Sequence, residues 1–306
     1  MISVYCSEKL DGICAAAIIF RHARFAKLPA HFAGFLHPDL LSRELQDIST
    51  EKNKLLFLLD ISLSPEHLPL LDHISKHNKI VYANTTNPNS VKPNAKIFDQ
   101  HERQSSAEQA KNRFLPNDPV SAQLATLSHE YKFWKINDDK TLRLADLIAS
   151  GHNPLDIITS LSRGVLWNDT FQKTYDEFTI KKNAALEELM KTIIIKTHLT
   201  YRIGYCLASP ILTPTDACEK ILNSHAGVDI ACALHRDGKI TFRRREHPAI
   251  DLRELAELFG GGGQPFAAGA RLPYQITKDN LPDTLFKIEH ALRAYFLQGD
   301  PELQNT

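Results

Sequence analysis

The chain has 306 residues and a formal net charge of zero, from 36 basic (Lys and Arg) and 36 acidic (Asp and Glu) residues. This length is enough for two domains with cores of their own, and the charge balance excludes indiscriminate electrostatic binding of nucleic acid by the whole surface. The five cysteines show no CxxC pair and no zinc-like spacing with histidine, which predicts reduced thiols in a cytoplasmic protein. No basic and apolar leader is present at the N-terminus, so we expect neither a signal peptide nor a membrane span.

Strands alternate with helical stretches over residues 1–84, and this rhythm predicts a parallel sheet covered by helices on both faces. Leu55–Asp60 is an apolar run that ends in a carboxylate, which is typical of a buried parallel strand that places Asp60 at its carboxyl end. A further strand, Lys79–Ala83, is followed by Asn84-Thr85-Thr86. Turn residues then predict a loop over residues 84–96.

Helices are predicted to dominate the middle of the chain. Ser121–Lys132 and Lys140–Ser150 are amphipathic, and residues 171–196 form a long charged stretch with apolar residues at helical spacing. Asp99-Gln100-His101-Glu102-Arg103 is interpreted as a polar loop or the start of a helix, with a displaced set of metal ligands as the alternative.

The last third of the chain predicts a second, smaller α/β domain. Thr213 and Pro214 have the residue types of an N-cap and a first helical position. Val228–Leu234 and Lys239–Arg244 predict a hairpin, because Asp237-Gly238 between them is a turn signal.

Four consecutive glycines, Gly260–Gly263, follow a helical pattern and precede a small, apolar segment. A flexible linker would have polar flanks, so two explanations remain. The glycines either end a helix or form a loop whose amides approach an anionic group such as a phosphate, and we favour the loop. Arg243 and Arg244 precede this segment on a predicted strand. They suit bidentate binding of phosphate, although a charged, solvated edge strand would have the same composition.

Residues 259–270, FGGGGQPFAAGA, resemble the GGGGH-x-x-AAGA signature of the DHH-associated domain in the DHH phosphoesterase superfamily. This superfamily includes RecJ-like exonucleases, oligoribonucleases and archaeal GINS-associated nucleases. Residues 7–18, SEKLDGICAAAI, are similar to its opening H-x-D-x-D-G motif, with Asp11 as the last aspartate. Asp60 matches the second motif, and Asp146 in LRLADL is similar to the fourth.

The resemblance implies the α/β architecture of the superfamily in three parts. They are an N-terminal parallel-sheet DHH domain over residues 1–170, a helical connector over residues 171–198, and a DHH-associated domain over residues 199–306. It also implies a substrate-binding surface in the last part, formed by Arg243, Arg244, Gly260, Gly261, Gly262, Gly263 and Gln264. We expect both arginines to face the same cleft as the glycines.

The metal-binding motifs of the superfamily are degenerate in this chain. The superfamily hydrolyses phosphodiesters with two divalent cations, usually manganese, and such a centre needs several carboxylates and imidazoles. Asp11, Asp60 and Asp146 remain, but the other motif positions hold residues that are poor ligands: Ser7 and Lys9 in the opening motif, and Asn84-Thr85-Thr86 in place of Asp-His-His. Gln264 likewise replaces the histidine of the glycine signature.

We therefore expect no bound metal. The Lys9 ammonium would instead pair with Asp11 and Asp60 and compensate their charge, unless Lys9 points to solvent.

Two functions are compatible with these residues. The favoured one is a non-catalytic, RecJ-like protein without a cofactor, which binds single-stranded nucleic acid, a nucleotide or a protein partner. By analogy with relatives, the resemblance suggests a role in DNA replication or repair and a replication protein such as GINS as a partner. The alternative is an active, Mn²⁺- or Mg²⁺-dependent phosphoesterase or exonuclease of oligonucleotides with a rearranged site. No membrane partner is expected in either case.

Overall fold

The computed structural model describes residues 1–85, 91–245 and 250–299. Thr86, which belongs to the degenerate third motif, and the rest of the predicted loop up to residue 90 lie outside these ranges. The chain divides into two units, residues 1–178 and 179–306, and each unit has its own sheet.

The first unit is built on a parallel five-stranded sheet. Its strands are Ile2–Cys6 (β1), Ala30–Phe35 (β2), Leu55–Leu59 (β3), Lys79–Thr85 (β4) and Ile97–His101 (β5). The spatial order is β2-β1-β3-β4-β5, and all four pairs are parallel. The chain therefore changes direction across the sheet between β1 and β3, and the carboxyl ends of these two strands form the topological switch point where open α/β sheets bind ligands.

Helices cover both faces of this sheet, as the sequence predicts. The helices of the unit are Leu10–Phe25 (α1), Leu41–Ile48 (α2), Leu68–Ser75 (α3), Ser106–Phe114 (α4), Pro119–Lys132 (α5), Asp139–Ala149 (α6), Pro154–Ser162 (α7) and Asp169–Met190 (α8), the last of which continues into the second unit. The residues of β3 alternate between two cores. Phe57 and Leu59 pack with α1, α4, α5 and α7, whereas Leu56 and Leu58 pack with α2 and α3.

Two local predictions in this part of the chain are wrong. Asp99-Gln100-His101 is neither a loop nor a helix start, because it completes β5, where His101 pairs with Thr85 of β4. An edge strand of this kind is only half-buried and so tolerates polar residues. The long helix ends at Met190, not near residue 196, because the β-branched residues that follow form a strand.

The second unit contains a mixed six-stranded sheet. Its strands are Ile194–His198 (β6), Tyr201–Leu207 (β7), Ile230–Leu234 (β8), Lys239–Arg244 (β9), Gly262–Gln264 (β10) and Ala267–Arg271 (β11), in the spatial order β10-β11-β9-β8-β7-β6. Only β7 and β8 are parallel among these pairs. Pro214–Ser224 (α9) packs on one face, and Leu252–Glu257 (α10) and Leu281–Gly299 (α11) pack on the other.

Local sequence signals are confirmed in this unit. Thr213 is the N-cap of α9, since its side chain accepts a hydrogen bond from the Asp216 amide at 3.1 Å. The β8–β9 hairpin turns at Gly238, whose φ of 86° lies in the left-handed region that glycine adopts most readily. Within the described ranges, no helix has the length and apolar character needed to cross a bilayer.

Candidate functional site

The candidate site of the first unit lies at the switch point, and Asp11 is at its centre. This residue is buried in the first turn of α1. Its Oδ1 accepts hydrogen bonds from the Ala107 amide at 2.9 Å and the Ser128 hydroxyl at 2.8 Å. Its Oδ2 accepts one from the Ser106 amide at 3.0 Å and lies 3.3 Å from Lys132 Nζ. A carboxylate offers about four lone-pair sites, so these four donors occupy the acceptor capacity of Asp11.

The start of helix α4 explains two of the donors to Asp11. The first amides of a helix lack intrahelical partners, and Ser106 and Ala107 are the first two residues of α4. The Asp11 carboxylate supplies the missing acceptors and lies at the favourable end of the helix dipole. Gly12 permits the tight start of α1, because a Cβ at this position would lie 2.4 Å from the Ser7 carbonyl oxygen.

Asp60 follows β3 and is the second carboxylate of the site. Its φ of 56° is left-handed, which aspartate tolerates better than most residues, and its amide donates to the Ala83 carbonyl at 2.9 Å. One carboxylate oxygen accepts a hydrogen bond from the Ser7 hydroxyl, and the other lies 2.5 Å from Lys132 Nζ. Lys132 therefore bridges the two aspartates; we call Asp11, Asp60 and Lys132 the charged triad.

The opposite charges of the triad offset the free-energy cost of burying each ionised group. Burial disfavours the ammonium form of Lys132, but the charges of Asp60 and Asp11 outweigh this and raise the pKa of Lys132 above its usual range. Burial also opposes ionisation of Asp60, yet the ammonium of Lys132 and then the charge of Lys9 lower the pKa of this carboxyl. For Asp11, burial and then the charge of Asp60 raise the pKa, while the Lys132 ammonium and the Ala107 and Ser106 amides favour the ionised form.

The donor set of the triad does not fit a centre for two divalent cations. Its two carboxylates are joined by no imidazole, and Lys132 occupies the space between them. Across residues 1–85, 91–245 and 250–299, no three His, Cys, Asp or Glu side chains converge in a way that could hold a metal ion. At the end of β4, the Asn84 amide group donates to the Tyr82 hydroxyl at 3.2 Å and the Thr85 hydroxyl to the Gln104 carbonyl at 2.9 Å.

Lys9 does not have the position expected from the sequence. It is exposed at the N-cap of α1, and its backbone amide donates to the Ser7 hydroxyl at 3.3 Å. Its charge reaches Asp60, but Lys132 makes the direct contacts with both carboxylates. Sequence reasoning missed Lys132 because the last residue of an amphipathic helix has no motif around it. Asp146 lies half-buried on α6, and its membership of an acidic site stays a prediction.

A second candidate surface lies on the α9 face of the second sheet. Residues that pair directly across antiparallel strands project to the same face. One such row contains Gln264, Ala267 and Arg243, from β10, β11 and β9. The Arg243 guanidinium donates to the Thr215 hydroxyl at 2.9 Å, in the first turn of α9. Its Nη1 lies 3.6 Å from Glu219 Oε1.

Arg244 projects to the opposite face, which corrects the expectation that both arginines face the glycines. Successive residues of a strand alternate between its faces. The Arg244 guanidinium accordingly reaches the α10 side, where its Nε donates to the Pro265 carbonyl at 3.2 Å and its Nη1 to the Arg245 carbonyl at 2.8 Å. Arg243 alone of this pair shares a face and a row with Gln264.

The glycine segment lies between α10 and β10, and the approach of its amides to an anionic group stays a prediction. Gly260 has a φ of 71° and lies in the turn that follows α10, where its amide donates to the Glu257 carbonyl at 3.0 Å. A Cβ at Gly261 would lie 2.2 Å from the Gly269 carbonyl oxygen, so glycine is required for close packing. Gly262 and Gly263 then enter β10, which lies at the edge of the sheet and pairs with β11.

Comparison with known proteins identifies the fold through solved structures. No protein-family model and no curated protein sequence matches the chain. RecJ of Thermus thermophilus, in complex with Mn²⁺, is similar with a TM-score of 0.60 and 15% identity. That alignment covers 95% of this chain and 52% of the RecJ chain, so this chain spans about half the length of that relative.

Two further structures match over nearly their whole length. The pGpG-specific phosphodiesterase PggH of Vibrio cholerae has a TM-score of 0.58 and 10% identity, over 96% of this chain and 99% of PggH. CDC45 of Entamoeba histolytica has a TM-score of 0.52 and 10% identity, over 95% of each chain. At such identities the likeness concerns the fold, and it confirms the architecture that the sequence motifs imply. The chain therefore shares its fold with these RecJ, PggH and CDC45 structures.

Proposed function

We propose that this protein is a non-catalytic, RecJ-like member of the DHH fold group that binds single-stranded nucleic acid or a nucleotide. In this proposal the first unit has exchanged a metal centre for the charged triad. The second unit keeps a surface for a phosphate group. A role in DNA replication or repair, alongside a protein partner such as GINS, is the biological setting that the resemblance suggests.

The position of the Lys132 ammonium is the observation that carries the proposal. A two-cation centre uses its ions to neutralise the charge that develops on a phosphoryl group. In the triad, one ammonium already pairs with both carboxylates, at 2.5 and 3.3 Å. A metal ion would have to displace Lys132 and compete with the three hydrogen-bond donors of Asp11, which are the Ser106 and Ala107 amides and the Ser128 hydroxyl.

The surface on the α9 face supports binding of a phosphate. Arg243 is held by Thr215 at the N-terminal turn of α9, where the helix dipole favours negative charge. Gln264 in the same row adds a neutral side chain that both donates and accepts hydrogen bonds. One small residue, Ala267, separates the two. A Cβ built at Gly262 would contact no atom within 4 Å, so there is open space beside the backbone at this position.

Hydrolysis and binding should separate in one experiment. End-labelled short RNA and single-stranded DNA are incubated with wild-type protein and the Asp11→Asn variant, with Mn²⁺ or with EDTA, and products are resolved on denaturing gels. Fluorescence anisotropy measures binding of the same oligonucleotides. We expect no cleavage above the level of Asp11→Asn, which reports contaminating nuclease, and metal-independent binding. Cleavage that needs Mn²⁺ and disappears in Asp11→Asn would contradict the proposal.

An active phosphoesterase is the second candidate, and the structural relatives favour it. RecJ was solved in complex with Mn²⁺, and PggH is described as a phosphodiesterase. Asp11 and Asp60 lie at the switch point of the same fold. Under this candidate, substrate binding would move Lys132 away and admit a cation, so the Mn²⁺ arm of the assay distinguishes the two functions.

A further inference from the structure

The open edge of the second sheet opposite the glycine strand is formed by β6, Ile194–His198. Three of its five residues are exposed, and Ile194 keeps 38% of its surface accessible. β-Branched residues give this segment a high strand propensity. Proteins commonly block such an edge with a lysine, because an open edge pairs with other strands. Here Lys196 is engaged by Glu289 of α11 at 2.6 Å.

The register of the β6–β7 hairpin identifies the backbone groups that point outward. The two-residue loop, with Leu199 at a φ of 55°, is closed by the pair His198–Tyr201. In two-residue hairpins the closing pair exchanges hydrogen bonds, and such pairs alternate with pairs that do not. The amides and carbonyls of Ile195 and Thr197 therefore point away from β7, and they are available to a further strand.

An apolar and basic flank of α11 lies beside this edge. Glu289 of α11 reaches Lys196 on β6, which fixes the side of the helix that borders the strand. At 100° per residue, Phe286, Arg293 and Leu297 lie on the same side as Glu289. Phe286 is 68% exposed and Leu297 is 39% exposed. Arg293 is also exposed, and no ion pair holds it within the part of the chain that the structure describes.

We propose that β6 and this flank of α11 form a docking surface for an extended segment of a protein partner. The segment adds a strand to the sheet through Ile195 and Thr197. Its face toward α11 carries apolar side chains that cover Phe286 and acidic side chains that pair with Arg293. This surface is separate from the phosphate surface and extends the proposed function to a second kind of ligand.

A capped peptide of alternating composition tests the proposal. The probe is the fluorescently labelled peptide Thr-Val-Thr-Glu-Thr-Val-Thr-Glu, which as a strand presents valine and glutamate on one face. A matched peptide has lysine in place of both glutamates. Fluorescence anisotropy measures binding to the full chain and to Thr197→Pro, whose ring removes the outward amide but no bond to β7. Thr197→Val is the control that keeps the amide. Thermal unfolding of each variant establishes that it is folded.

We expect the glutamate peptide to bind wild-type protein and Thr197→Val equally, within about twofold. Thr197→Pro should weaken binding about tenfold or more, the effect of losing a backbone hydrogen bond and close contact. Arg293→Glu should reverse the preference and favour the lysine peptide. The proposal is overturned if folded Thr197→Pro binds as wild type or if wild-type protein binds neither peptide. It is overturned equally if sedimentation shows a wild-type dimer that Thr197→Pro dissociates, because a second copy then occupies the edge.

Discussion

Replacement of Lys132 by methionine is expected to lower the free energy of unfolding by about 3–5 kcal/mol at pH 7, the range found when one partner of a buried ion pair is removed. Methionine keeps much of the side-chain volume but leaves Asp11 and Asp60 as buried carboxylates without their shared cation. Denaturant unfolding measures the change. Lys135→Met is the matched control, since Lys135 is exposed three residues further along the chain, and its effect should stay within about 0.5 kcal/mol.

The loss in Lys132→Met should also depend on pH in a defined direction. In the wild-type protein the pKa of Asp60 is lowered, so its contribution to stability is complete above the unfolded-state pKa of about 4 and is lost as the pH falls through the folded-state value. In the variant, burial and mutual repulsion raise the pKa of the Asp11 and Asp60 carboxyls. Acid protonates them and so removes the unfavourable buried charge. The difference between the two proteins should therefore shrink below about pH 5. A difference that is small at pH 7, or that grows in acid, would contradict a charged triad.

Replacement of Arg243 by alanine is expected to reduce affinity for a short single-stranded oligonucleotide at least tenfold, while Arg244→Ala leaves it within about threefold. The reason is geometric, because only Arg243 lies on the face and row of Gln264. A charge-assisted hydrogen bond to phosphate contributes about 1.5–3 kcal/mol. The two variants remove the same charge from adjacent positions, so each is the control for the other.

Salt titration sharpens this comparison. Affinity for a single strand falls with salt, and each phosphate contact steepens the slope of log affinity against log salt concentration by about 0.7. Arg243→Ala should therefore reduce the slope by about that amount, and Arg244→Ala should not. Equal losses in both variants would mean that general surface charge, and not the row of Arg243 and Gln264, binds the ligand.

The architecture could be predicted from the sequence because hydrophobic periodicity, helix caps and turn residues act on near neighbours in the chain. The βαβ rhythm of the first unit, the Thr213 cap and the turn at Gly238 all follow from near neighbours in the chain. β5 escaped prediction for the opposite reason. Its polar residues form a strand because β4 presents an edge to pair with.

The residues of the candidate sites differ in the same way, since some have a local sequence signal and others depend on tertiary contacts. Asp11 and Asp60 are placed by motifs at strand ends, but Lys132 approaches them from the end of α5, through a tertiary contact without a local signal. The arginines differ, since their separation could have been predicted. Adjacent residues on one strand project to opposite faces, and this rule alone excludes a shared face for Arg243 and Arg244.

The most direct measurement is titration of the purified protein with Mn²⁺, by isothermal calorimetry and by electron paramagnetic resonance of the free ion. If the charged triad has replaced the metal centre, the wild-type protein should show no stoichiometric binding below about millimolar Mn²⁺, because the acceptors of Asp11 are occupied and Lys132 pairs with both carboxylates. Tight binding of one or two ions that is abolished by Asp11→Asn would show that a metal centre persists and would contradict the account.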